Sequence, residues 1–194
     1  SKLLAGVTTD VGGNCGYGAF PLAGEVLSRR STDYARAPLT IDWSDACGYF
    51  ARLDDTPGGL TRAVLIGHGN VRAVAVGYDA READASERAR MREIVADGLE
   101  QGAFGLSSGL VYPPGCFADV DELADLAAIV RDAGGFYTSH IRSEGDGLIE
   151  AVDEFIETLR LSGCRGQLSH VKTMGRANWP KIVALADRLE AARA

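Results

Sequence analysis

Four short apolar runs, each stopping at polar residues, dominate the second two-thirds of this chain. They stand in TRAVLIGHGNVR, GAFGLSSGLVYPPG, GGFYTSHIRSEG and CRGQLSHVKTMGR. The first run, Ala63 to Ile66, ends at Gly67-His68-Gly69, and the second reaches Ser107-Ser108 before a Gly/Pro loop that holds Tyr112. The third places Phe136 and Tyr137 before Ser139-His140, and the fourth places Gln167 and Leu168 before Ser169-His170. Runs this short are strands, whereas the segments between them carry apolar residues at helical spacing. SERARMREIVADGLEQG repeats Met91, Ile94, Val95 and Leu99, and DVDELADLAAIVRDAGG repeats Leu123, Leu126, Ile129 and Val130. EGDGLIEAVDEFIETLRLSG offers Leu148, Ala151, Val152, Phe155, Ile156 and Leu159. Strand and helix alternating through short connections call for a mostly parallel sheet with helices over it.

Local signals place the ends of these elements. Asp119 and Glu122 have capping-box spacing, and Gly134 reads as a helix stop. In NWPKIVALADRLEAA, Asn178 is the expected N-cap, with Pro180 inside the first turn. The opening SKLLAGVTT reads as a strand, and the last helix runs to the terminus. Residues 24–58, rich in Asp, Arg and Gly, read as a loop and helix insertion outside the site, with a helix near Ile41 to Leu53. Five or six strands are expected, enough for an open sheet but short of a closed barrel, so the chain reads as part of something longer.

Chemistry gathers at one end of the strands, where His68, Ser108, His140 and His170 stand, while the helix ends carry ordinary charges. A parallel α/β protein keeps its active site at the carboxyl ends of its strands. Twenty basic residues against 27 acidic ones, scattered along the chain, do not suit a nucleic-acid groove. No run of eighteen apolar residues suggests a membrane span. Cys15, Cys47, Cys116 and Cys164 are too widely spaced for a zinc knuckle or a disulfide scaffold, which points to reduced thiols and a cytoplasmic protein.

Two near-copies of one phrase, T-S-H-I-R and L-S-H-V-K, carry His140 and His170 thirty residues apart. Adjacent strands lie about 4.8 Å apart, so two such histidines can converge on one point. A thiolate and imidazoles suit zinc, whose catalytic sites take about three protein ligands, and Cys15 in TTDVGGNCGYGAF is the candidate third. Burial of Cys15 as a small apolar group and a Cys-His nucleophilic pair are the competing readings. His68 alone reads as a hydrogen-bonded structural residue.

The phrases GNCG (Gly13 to Gly16), GHGNVR (Gly67 to Arg72), GAFGLSSGLVYPPG (Gly102 to Gly115), SHIRSEGD (Ser139 to Asp146) and SHVKTMGRANW (Ser169 to Trp179) resemble the N-acyl-D-amino-acid deacylases, or D-aminoacylases, of the amidohydrolase superfamily. The resemblance covers nearly the whole chain. It implies a metal-dependent (β/α)8 TIM barrel, of which residues 1–194 are a partial, central piece. On that resemblance the first and last strands and the small β-sandwich domain are expected to lie outside residues 1–194. It makes Cys15, His140 and His170 the ligands of one tight zinc. It gives Tyr112 and Lys172 a part in holding the substrate's α-carboxylate, and leaves His68 structural or backing the ligands.

The family's H-x-H pair, needed for a second, weak metal site, is absent, because no histidine precedes Cys15. Its aspartate base and an arginine of the carboxylate clamp fall outside the chain, so the piece alone is expected to be weak or inactive. The implied reaction is zinc-dependent hydrolysis of an N-acyl-D-amino acid to a carboxylate and a free D-amino acid. A cyclic amide or N-acylated amine as substrate is a second reading, and a non-catalytic barrel remnant serving as a structural or interaction module is a third. The partner is then a small molecule, with exposed sheet edges open to self-association or to a complementing segment.

Overall fold

The computed structural model describes residues 2–33, 39–56 and 58–193. Five strands form one sheet: β1 Thr9–Gly12, β2 Thr61–Gly67, β3 Gly105–Gly109, β4 Phe136–His140 and β5 Gly166–Leu168. Their order is β1-β2-β3-β4-β5, and every neighbouring pair is parallel. A sheet that winds in one direction has no point where the strand order reverses, unlike a doubly wound sheet. Crossovers of one hand then put the helices on one face, which is how a barrel is built.

Among the described residues, seven helices connect or flank these strands: α1 Gly24–Asp33, α2 Ala46–Asp54, α3 His68–Ala75, α4 Ala85–Glu100, α5 Val120–Asp132, α6 Leu148–Ser162 and α7 Lys181–Arg193. Strand side chains alternate between faces. Val64, Ile66, Leu106 and Tyr137 therefore turn toward the helices and share one core with Met91, Val95, Leu126, Val130, Val152 and Phe155. Tyr137 stacks on Phe155 of α6 with ring centroids 6.1 Å apart. The opposite face of the sheet carries Ser107, Thr138 and His140, so the alternation sorts polar chemistry to one side and packing to the other.

Several local expectations change. Leu3–Ala5 is a 3-10 turn ended by Gly6 at φ +80°, and the first strand begins only at Thr9. The Asp119 side chain does cap α5 by accepting from Glu122 N at 2.7 Å, but Glu122 does not return the bond. Its carboxylate is drawn instead to His68 and Arg72. The reciprocal capping box stands at Asp84 and Glu87, where the Glu87 carboxylate accepts from Asp84 N at 2.8 Å. Asn178 is not an N-cap: Arg176–Asn178 is a 3-10 turn, and the Asn178 amide donates to Asp146 Oδ1 at 3.0 Å and Met174 O at 2.9 Å. Helix α7 starts at Lys181, just after Pro180.

The region 24–58 holds α1 and α2, the latter begun by Asp45, whose side chain accepts from Gly48 N at 2.8 Å. The parts of that expectation that fall on residues 34–38 and Pro57 lie outside the described residues.

Candidate metal centre

Cys15 follows β1 in the turn Asn14-Cys15-Gly16-Tyr17, closed by a Tyr17 N to Asn14 O hydrogen bond of 3.3 Å. Its two central residues have φ of +60° and +76°, the pattern of a type I′ turn, which favours Asn, Asp or Gly rather than cysteine. The turn lies against the strand ends so closely that a Cβ on Gly16 would come within 2.7 Å of Gly109 N. One on Gly109 would come within 2.1 Å of Cys15 O. Among the described residues, the non-glycine positions with positive φ are Cys15 and His170, the latter at +57°. A left-handed conformation costs an L-residue about 1–2 kcal/mol. Two of the three expected ligands carry that cost, and backbone strain of this kind concentrates at functional sites.

The structure brings the three expected ligands together. One donor atom each from Cys15, His140 and His170 lie within 4.8 Å of one another, the geometry of a shared cation. Cys15 Sγ is 3.2 Å from His170 Nε2, and the two imidazole rings meet edge-on at 4.7 Å. His140 closes β4 and His170 follows β5, so neighbouring parallel strands place them side by side. Among the described residues His140 Nδ1 is buried without a hydrogen-bond partner, as is His68 Nδ1, so what marks His140 is its convergence with Cys15 and His170.

The same contact suits a thiolate-imidazole nucleophile, but the electrostatics oppose it. Burial pushes the Cys15 thiol above its ordinary value of 9.0, Glu144 adds to this, and Lys172 only partly offsets them. An activated cysteine needs the reverse. A bound metal overrides the cost, since a coordinating thiol is deprotonated outright. Burial also lowers the His140 pKa from 6.5, with Glu144 opposing and His170 and Lys172 adding, which keeps the ring neutral and free to ligate. Soft sulfur with two imidazoles fits zinc.

Tyr112 and Lys172 both border this cluster. The Tyr112 ring meets the His140 ring edge-on at 5.2 Å. Lys172 Nζ lies 2.5 Å from Glu144 Oε2, and Glu144 Oε1 lies 3.7 Å from His140 Nε2. Glu144, only 7% exposed, was not singled out from the sequence, although it stands four residues after His140 in SHIRSEGD. His68 sits elsewhere: it is wholly buried at the start of α3, its Nε2 is 2.9 Å from Glu122 Oε1, and Arg72 Nη1 bonds the other oxygen.

No protein-family model matches the chain. Curated relatives do, over its whole length: N-acyl-D-glutamate deacylase of Alcaligenes xylosoxydans xylosoxydans at 38% identity and N-acyl-D-aspartate deacylase of the same organism at 32%. The chain spans 39% of the length of each. The solved N-acyl-D-glutamate deacylase of Bordetella bronchiseptica, complexed with zinc and a phosphonate mimic of the tetrahedral intermediate, superposes with a TM-score of 0.87 at 35% identity. That match covers 99% of this chain and 40% of the solved one. A solved D-aminoacylase, described as defining a novel subset of amidohydrolases, gives a TM-score of 0.86 at 30% identity, with the same shares covered. Another D-aminoacylase structure concerns a binuclear metal centre. The five parallel strands and their helices are a partial TIM-like barrel matching these enzymes.

Proposed function

Because the chain is related throughout its length to N-acyl-D-amino-acid deacylases, we propose that it furnishes the metal centre for zinc-dependent hydrolysis of an N-acyl-D-amino acid. The observation that carries this reading is the meeting of Cys15, His140 and His170 at the carboxyl end of the sheet. Zinc held there supplies Lewis acidity toward the scissile carbonyl and the attacking water.

The chain's own residues do the rest of the work assigned to them. Cys15 gives a sulfur donor and His140 and His170 each a ring nitrogen, in an order imposed by β1, β4 and β5. Tyr112 donates its phenolic O–H toward the substrate's α-carboxylate, and Lys172 contributes its ammonium. Glu144 accepts one of the three Lys172 donors and leaves two for the ligand. Fixing the carboxylate on one side and the acyl carbonyl at the cation sets two of the four directions at the α-carbon, and the space left for the side chain as the third point sets the D preference.

In this reading residues 1–194 are the central part of the catalytic barrel with 24–58 as its insertion, and the edge strands β1 and β5 pair with complementing segments. His68 stays structural. The four free cysteines suit a reducing cytoplasm, and no described helix is long and apolar enough to cross a membrane.

Elemental analysis and zinc titration of the purified chain test the metal centre. About one zinc per chain is expected, with Cys15→Ala losing affinity by more than the ~10–100-fold typical of changes behind the ligands. Full metal retention by that variant removes Cys15 from the centre. Binding of N-acetyl-D-glutamate and N-acetyl-D-aspartate to the zinc-loaded chain is read by titration calorimetry, with weaker binding expected for Tyr112→Phe and Lys172→Ala, and unchanged affinity in both variants defeats their assignment.

A further inference from the structure

Resting on the metal centre proposed above, we propose that Ser107 is the positioning residue for its sulfur ligand. Ser107 lies in β3, wholly buried, on the sheet face that carries Thr138 and His140 rather than on the helix face. Its hydroxyl reaches both sides of the strained turn at once. It accepts from Gly16 N at 3.1 Å and donates to Gly13 O. Cys15 stands between those two anchor points, in a conformation its own side chain disfavours. One hydroxyl from β3, two strands from β1 and beside β4, therefore ties the residues before and after Cys15 to the part of the sheet that carries His140.

Two further bonds complete the clamp: Gly69 N, in the first turn of α3, donates to Gly16 O at 3.1 Å, and Thr138 Oγ1 donates to Asn14 Oδ1 at 3.4 Å. Neither grips both ends of the turn. Hydrogen bonds from behind the ligands orient metal donors and are felt in metal affinity. A turn free to relax from its left-handed geometry would swing the sulfur away from the two imidazoles.

The adjacent Ser108 supplies an internal control. It is equally buried, yet its hydroxyl meets Tyr137 Oη at 2.5 Å and Ser139 Oγ at 2.9 Å in the helix-facing layer. A merely structural serine on β3 predicts the same outcome for both positions, whereas a positioning role separates them.

The test is competitive zinc titration of Ser107→Ala and Ser108→Ala, with cobalt substitution to read the thiolate-to-metal charge-transfer band. Ser107→Ala is expected to weaken zinc binding about 10–100-fold and to shift or dim that band, and Ser108→Ala to change affinity less than about twofold. Ser107→Thr, which keeps the hydroxyl, is expected to restore the band and the affinity. Should Ser107→Ala fail to fold, Ser107→Thr decides: wild-type affinity upholds the clamp, and an altered cobalt band with weakened zinc overturns it. Equal losses at Ser107 and Ser108, or none at Ser107, overturn it as well. A wild-type chain that takes up no zinc overturns the metal centre itself, a result distinct from wild-type binding that ignores Ser107.

Discussion

His68 and His140 both stand at the carboxyl end of a parallel strand, yet the fold uses them in opposite ways. His68 follows β2 in step with Val64 and Ile66, so it turns into the helix layer and meets Glu122 of α5 at 2.9 Å. Arg72 reaches the same carboxylate, and all three side chains are buried. His140 stands on the other face of β4, its ring edge-on to that of His170. The Arg72–Glu122 ion pair locks the first site, while in the second the donor atoms of Cys15, His140 and His170 converge on one another. Strand parity decides which histidine is a strut and which joins the proposed metal centre.

The sharpest way to break this comparison is to remove the carboxylate that the strut depends on. Glu122→Gln leaves the Arg72 guanidinium buried without its countercharge, and breaking one side of a buried pair costs about 3–5 kcal/mol. A loss of that size is expected in urea denaturation, with zinc stoichiometry of the folded chain unchanged. Loss of zinc at preserved stability would mean that the two regions are one site.

Acid should separate the regions along the same line. Burial works to raise the Glu122 pKa, but the His68 hydrogen bond and the nearby Arg72 outweigh it and hold the carboxyl below its ordinary 4.5. A depressed carboxyl contributes stability that is complete above the unfolded value and fades as pH falls through the folded one. Metal-free protein is therefore expected to lose stability below about pH 4.5, and this component should vanish from Glu122→Gln. His68→Gln, which keeps the shape but weakens the contact, is expected to cost about 1–3 kcal/mol, again without change in zinc content. An equal acid response in wild type and Glu122→Gln would show that the network contributes nothing.

The sequence made the alternation of strand and helix legible because each signal is local: a run of four apolar residues or a stripe at helical spacing needs no distant partner. The meeting of Cys15, His140 and His170 was legible for a similar reason, since T-S-H-I-R and L-S-H-V-K repeat one local phrase and the family resemblance tied Cys15 to them. What failed was whatever depends on residues far along the chain. Asp119 and Glu122 have the spacing of a capping box, but Glu122 is taken by His68 and Arg72, 54 and 50 residues away in sequence. Helix α3 was missed because His68, Asn70 and Arg72 are polar residues on a buried face whose hydrogen-bond partners Glu122, Gly18 and Arg81 lie outside the helix. Glu144 and Ser107 have no periodic signature at all, and their surroundings exist only once β1, β3 and β4 lie together.

The smallest expected effect probes the strain on the ligand side directly. Cys15 holds φ at +60°, where glycine carries no Cβ penalty and where the following Gly16 also has positive φ. Cys15→Gly removes the side chain that opposes this conformation but adds backbone freedom to the unfolded state. The two terms differ in sign, and the local strain of about 1–2 kcal/mol is the larger. Metal-free Cys15→Gly is therefore expected to equal or exceed the wild type in thermal stability by up to about 1 kcal/mol, while binding no zinc tightly. Removing His68 or Glu122 has no such compensation, because those residues sit without strain in bonds that the fold itself uses. A metal-free Cys15→Gly variant that melts well below the wild type would show that the thiol holds the apo fold together, and the contrast between strut and ligand would fail at its own centre.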